Sequence, residues 1–198
     1  TLKTSGVVTY KLLINGEDVS SKHPVYEANV HKAYNRIANA KILITDGSAA
    51  EQDFAASSSD YFIPGNEVEL KMGYNAEDET VFKGIIVNQS IKVNQQGSFL
   101  SIECKDKAYE MTMSQNSAIY HDATDSDVIK ELIDKYGLTT DIEDTEETYN
   151  ELVQYQCTDW DFMLVRAQVN GLFVSVDQGD VSIGIPDTGQ TPIALGEF

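Results

Sequence analysis

The sequence is poor in several things at once. Its 198 residues include two cysteines, one tryptophan, four prolines and only 14 lysines and arginines, against 32 aspartates and glutamates. Two cysteines exclude a disulfide-stapled scaffold. Cys104 falls in phase with Leu100 and Ile102 in FLSIEC, which marks it as a small buried hydrophobe and argues against a Cys104–Cys157 bridge. The scarcity of positive charge leaves a net charge of −18 and a pI near 4.3. Such a chain does not coat a phosphate backbone or an anionic membrane face. There is no run of 18 apolar residues, so no helical membrane span is expected. The start at Thr1 has neither the charged lead nor the apolar core of a signal peptide. Core-forming residues are not lacking: 41% of the chain is hydrophobic and 18 residues are aromatic. That composition excludes disorder and suits one or two packed domains.

Catalytic motifs are missing too. The chain has no G-x-S-x-G, no HExxH and no G-x-x-x-x-G-K. Its three histidines are His23, His31 and His121. A Cys104–His121–Asp122 nucleophilic set has no local setting that would activate it. Asp122, Thr124 and Ser126 begin a calcium-loop pattern, but an EF-hand then needs Gly and Glu where this chain has Asp127 and Ile133. The run from Asp141 to Glu147 reads as a solvated acidic loop. No catalytic residue, metal ligand or cofactor is expected.

The negative charge is concentrated. Residues 110–161 hold 14 acidic and 2 basic side chains, and the other 146 residues hold 18 and 12. Such a step marks either a boundary between structural units or one strongly solvated face.

The first 118 residues read as strands. Tyr10 to Ile14 leads into Asn15-Gly16, a hairpin-turn signal. Pro24 to Val30 is extended. Ala38, Ala40, Ile42 and Ile44 share one face, and Asp46-Gly47 closes that strand. Ile63-Pro64-Gly65-Asn66 suits a type II turn. Val68, Leu70 and Met72 alternate with Glu67, Glu69 and Lys71 as a half-buried strand. TVFKGIIV and SIKV follow as two further strands, and Asn94 to Gly97 turns the chain into FLSIEC. Short strands separated by turns suggest a β-barrel or sandwich.

Two helices follow. Val128, Ile129, Leu132, Ile133 and Tyr136 form one apolar stripe from Asp125 to Tyr136, with Thr124 or Asp125 as cap and Gly137 as stop. The second spans about Asp159 to Asn170, with Thr158 as cap, Asp161 as a capping-box acid and Gly171 as stop. Trp160, Phe162, Met163, Leu164, Val165, Ala167 and Val169 cover most of its circumference, so burial on most sides is expected. Thr124-Asp125-Ser126-Asp127 matches Thr158-Asp159-Trp160-Asp161, and Gly-Leu recurs 13 residues after each Thr. This is either an internal duplication of period 34 or two helices sharing the same good caps, the simpler reading. Phe173 to Ile185 then forms a hairpin closed by Pro186. The stretch from Asp187 to Phe198 lacks a closing element, as if the natural chain continued.

Taken in order, VYEANVHKAYNRIANAKILITDGSAAEQDF, DYFIPGNEVELKMGY, VFKGIIV, LSIECKDKAYEMT, SDVIKELIDKYGL and QYQCTDWDFMLVRAQVNGLFVSV resemble the N-terminal region of VgrG-type spike proteins. These belong to type VI secretion systems and related phage-tail-like contractile injection machines. The resemblance runs from about Tyr10 to Pro186. It implies an α+β, mainly β fold like the phage-tail baseplate hub: a β-barrel domain with an inserted smaller α/β unit of two helices and a hairpin. The expected layout is a barrel at 1–118, the inserted unit at 119–186, and a return segment at 187–198 cut before the rest of the spike. The resemblance further implies a non-enzymatic structural hub. It would form homotrimers in the full-length protein and join the hexameric tube and baseplate components to a puncturing needle, with effector cargo as a further partner. Such a protein is assembled in the bacterial cytoplasm and then injected. The alternatives are a surface-binding module of adhesin or lectin type, or a tail-associated hydrolase. Tyr26, Tyr34, Phe54, Tyr61 and Phe62 are the expected interface residues.

Overall fold

The computed structural model describes residues 8–46, 56–74, 77–94 and 97–186. Strand β1 (Val8–Ile14) enters Asn15-Gly16, whose φ angles of 49° and 82° make the mirror-image turn that matches strand twist. The short β2 (Glu17–Asp18) returns alongside it. There follow β3 (Val25–His31), β4 (Asn39–Thr45), β5 (Glu67–Tyr74), β6 (Glu77–Asn94) and β7 (Gly97–Lys105). These seven form one antiparallel sheet in the order β2-β1-β5-β6-β7-β4-β3.

The sheet is open, where the sequence suggested a closed barrel. Its end strands β2 and β3 share no ladder, and β2 is two residues long, too short to offer one. The sheet still curls on itself, because the Tyr10 hydroxyl on β1 accepts a hydrogen bond from the Val25 N–H on β3 at 3.2 Å. Ala38, Ala40, Ile42 and Ile44 all point into the core, in the alternation expected of β4. Met72 departs from the expected pattern and is 40% exposed. It lies beyond a bulge between Leu70 and Lys71, where β5 leaves the core.

The two expected strands TVFKGIIV and SIKV are one strand, β6, of 18 residues. Its first half pairs with β5 and its second with β7. A bulge at Ile86/Asn88 bends it between the two. Gly84 sits at this handover. A Cβ there would lie 2.2 Å from the Lys105 carbonyl oxygen, so only glycine allows the approach.

The second half of the chain is built from β8 (Gln115–Thr124), α1 (Asp125–Asp134), β9 (Thr139–Ile142), β10 (Thr148–Thr158), α2 (Asp159–Val169), β11 (Phe173–Asp177) and β12 (Asp180–Gly184). β8 and β10 pair antiparallel as a ribbon, and β12 lies between antiparallel β11 and parallel β9. The hairpin and both helices match expectation, whereas β8, β9 and β10 were not read from the sequence. Thr124 caps α1 in a full capping box with Asp127, and Thr158 caps α2. Gly137 and Gly171 both end their helices with positive φ, at 61° and 69°.

Helix α2 departs from expectation. Only Asp159, Trp160, Met163 and Ala167 are buried, while Val165 and Val169 are 53% and 60% exposed. The helix lays one stripe on the core and leaves a second apolar stripe in water.

Two buried clusters result, one inside the curled sheet and one between the helices, the ribbon and the three-stranded sheet. Named contacts tie them together. Buried Asp106 accepts from Ala108 N and from Gly179 N in the β11–β12 turn, both at 2.9 Å. Burial pushes its carboxyl up, and these backbone hydrogen bonds pull it back. Asn35, with φ 58°, donates its N–H to the Val174 carbonyl and accepts from the Val174 N–H through Oδ1. Lys32 pairs with Asp177 at 2.6 Å. No helix among the described residues is long and apolar enough to cross a membrane.

Candidate functional site

The groups considered for chemistry are apart or already engaged. Cys104 lies in the core of the large sheet, where burial pushes its thiol up to about 12, and Cys157 is also a free thiol. His121 stands opposite Glu151 on the exposed ribbon. The oxygens of Thr124 and Ser126 are committed to the α1 cap and to Thr145. Among the described residues, no group of three or more His, Cys, Asp and Glu is placed to hold a metal ion. The exposed apolar surfaces are a further candidate site.

Of the residues expected at an interface, Tyr26 and Tyr34 are each 55% exposed. Tyr26 packs its ring on Phe99, with centroids 4.7 Å apart. Tyr61 is half-buried and donates its hydroxyl proton to Glu17 at 2.8 Å. Phe62 is placed differently. It is fully buried, 5.2 Å from the His23 ring, and fills the core that the curled sheet encloses, so it offers no surface to a partner. Phe54 lies outside the described residues.

Other exposed apolar side chains were not anticipated. Ile119 and Val153 oppose each other on the outer face of the ribbon, with Tyr155 beside them at 72% exposure. Val165 and Val169, four residues apart on α2, form a second patch, and Ile91 and Val93 on β6 a third. Phe173 meets Tyr34 edge to face at 5.9 Å. The phase of buried Val174 and Val176 was the sequence signal that Phe173 faces outward.

The charge concentration also has a place. Of the 14 acids in 110–161, Asp125 and Asp159 are buried, Glu110 is half-buried and the rest are exposed. The two buried acids begin α1 and α2, where the helix dipole favours a carboxylate, and each is gripped by residues at or just beyond the end of the other helix. Arg166 and Asn170 of the α2 end bond to Asp125, with Arg166 Nη2 at 2.9 Å and Asn170 Nδ2 at 2.8 Å. Tyr136, beyond α1, donates its hydroxyl proton to Asp159 at 2.9 Å, and Gln154 and Asn116 add two further bonds. Tyr136 and Asn170 stand at equivalent places in the 34-residue spacing. The spacing thus relates a reciprocal pair of cross-helix clamps as well as two caps.

Burial pushes the Asp159 carboxyl up, but the hydrogen bonds from Gln154, Asn116 and Tyr136 outweigh it and hold the group below its ordinary value of 3.8. The folded state thus resists a proton that the unfolded chain accepts. This stabilisation is complete above pH 3.8 and is lost as pH falls through the lower folded value. In denaturant titrations, the stability gap between the wild type and Asp159→Asn should narrow across that window. A gap that stays constant with pH would contradict the assignment.

A family model described as the Alg8 N-terminal domain matches residues 4–198. The chain belongs to this family. No curated protein sequence matches this chain. Solved structures do match it. The 43 kDa tail protein of prophage MuSo2 from Shewanella oneidensis superposes with a TM-score of 0.70 at 11% identity, over 90% of this chain and 53% of that one. A tail protein from Neisseria meningitidis MC58 gives 0.68 at 15% identity, over 94% and 53%. The E. coli c3393 protein gives 0.64 at 13% identity, over 92% and 51%. It is described as a component of the type VI secretion system with structural similarity to the T4 tail proteins gp27 and gp5. At these identities the likeness is one of fold, and the domain spans about half the length of each of these proteins. The resemblance to the VgrG-type hub region therefore holds at the level of fold: mainly β, with the smaller α/β unit of two helices and a hairpin.

Proposed function

We propose that this chain is a structural hub component of a contractile injection machine, acting in a trimer that joins a hexameric tube to a puncturing needle. The observation that carries this reading is the fold shared, over about nine-tenths of the chain, with two tail proteins and a type VI secretion component. The work of such a part is mechanical. It holds its neighbours rigidly while thrust passes through it, which calls for large, partly apolar, symmetric interfaces. The exposed apolar patches on β6, the ribbon and α2 are surfaces of that kind, and Tyr26 and Tyr34 are further exposed rings. Two barrel-like units per chain would let three copies match the sixfold tube. Tube and baseplate proteins are the partners in this reading, with effector cargo a further one. Assembly takes place in the bacterial cytoplasm before injection.

Mass photometry of the full-length protein containing this domain tests the trimer. Three copies per particle are expected, and a stable monomer at micromolar concentration would contradict the reading.

A further inference from the structure

A groove of about 440 Å³ runs along the outer face of the β11-β12-β9 sheet. One wall is aromatic: the rings of Tyr34 and Phe173 meet edge to face at an interplanar angle of 70° and are 55% and 41% exposed. Phe173 faces Gly184 across the ladder, with Ser182 next on the same face, and the Glu143 carboxylate reaches over Gly184, 3.1 Å from where a Cβ there would stand. The other wall carries two carboxylates. Asp141 stands opposite Ser182. Glu143 accepts a long hydrogen bond from the Ile185 N–H through Oε1, at 3.4 Å. Among the described residues, no lysine or arginine lines the groove.

Aromatic faces set against carboxylates suit a flat cation. A guanidinium stacks on rings and donates paired hydrogen bonds to a carboxylate. We propose that this groove docks an arginine side chain presented by an extended basic segment of a partner protein. Charge complementarity carries the choice of occupant. Residues 187–198 of this chain contain no lysine or arginine, so they cannot supply the cation. Of the two arginines in the chain, Arg166 is committed to Asp125, leaving Arg36 as the one a second copy could offer. The proposal requires only the groove and does not depend on the hub reading.

The test is an amide-resolved NMR titration at physiological ionic strength with two short peptides, one bearing arginines and one bearing citrulline in their place. The arginine peptide should shift the amides of Phe173, Ser182 and Gly184, and should bind at least about tenfold tighter than the citrulline peptide. Glu143→Gln and Phe173→Leu, with melting temperatures unchanged, should each weaken it, the former about tenfold. Equal binding of both peptides, or arginine binding that ignores both substitutions, would overturn the proposal in favour of non-specific attraction to the acidic surface. Self-association that is lost in Arg36→Gln would overturn it in favour of a second copy.

Discussion

Replacing Trp160 by alanine is expected to cost about 3–5 kcal/mol of stability, the range for deleting a large aromatic from a packed core. Trp160 lies in the first turn of α2, is 6% exposed, and belongs to the cluster formed by the helices, the ribbon and the three-stranded sheet. It follows Asp159, the acid clamped by Gln154, Asn116 and Tyr136. A void beneath it therefore sits where the end of one helix is fastened to the other half of the unit. The surrounding clamp restricts collapse into the space, which places the cost toward the upper end. For a chain of this size the melting temperature should drop by about 6–20 °C. Urea unfolding monitored by circular dichroism measures the change directly. A loss below about 1 kcal/mol would mean that α2 is not seated as described.

The second large effect concerns the clamp itself. Asp125 has a side chain only 1% exposed, and Arg166 pairs with it through both Nε and Nη2. Arg166→Leu leaves that carboxylate buried with Asn170 as its remaining side-chain partner from α2. Stranding a buried charge costs about 3–5 kcal/mol. Removing both members should cost much less than the sum of the single changes, because two apolar groups replace the pair without leaving a charge behind. A double-mutant cycle of Asp125→Leu and Arg166→Leu separates the two cases. Strong coupling is expected, and simple additivity would show that the contact is not energetically real.

How far the fold could be read from sequence depended on which physical rule was in force. Local rules worked. Asn15-Gly16 formed its turn because positive φ is cheap there. Thr124 and Thr158 capped their helices, and Ala38 to Ile44 alternated as a half-buried strand must. Rules that need the partner failed. Asn88-Gln89-Ser90 resembles a break, yet β6 runs through it because β7 supplies the ladder. β10 was missed because one of its core-facing positions is Gln154, a polar side chain whose burial is explained by Tyr120, Asp159 and the Cys157 carbonyl, which it meets in the folded state. Val165 and Val169 looked like core because composition cannot say which stripe of a helix has a neighbour. The candidate surfaces were legible only in part for the same reason. Aromatic residue type pointed to Tyr26 and Tyr34, but equally to Phe62, which the curled sheet buries.

The scarcity of positive charge acquires a location from the same comparison. Most of the acids of 110–161 stand exposed around the α/β unit, and two are folded into its clamps.

The central claim is a place in a machine, and position is what tests it. Contractile particles should be purified from cells encoding the full-length protein and labelled with gold-conjugated antibodies raised against this domain. The account predicts label at the baseplate end of the particle and nowhere along the sheath. Particles that carry no label, while the protein is abundant elsewhere in the same cells, would contradict it.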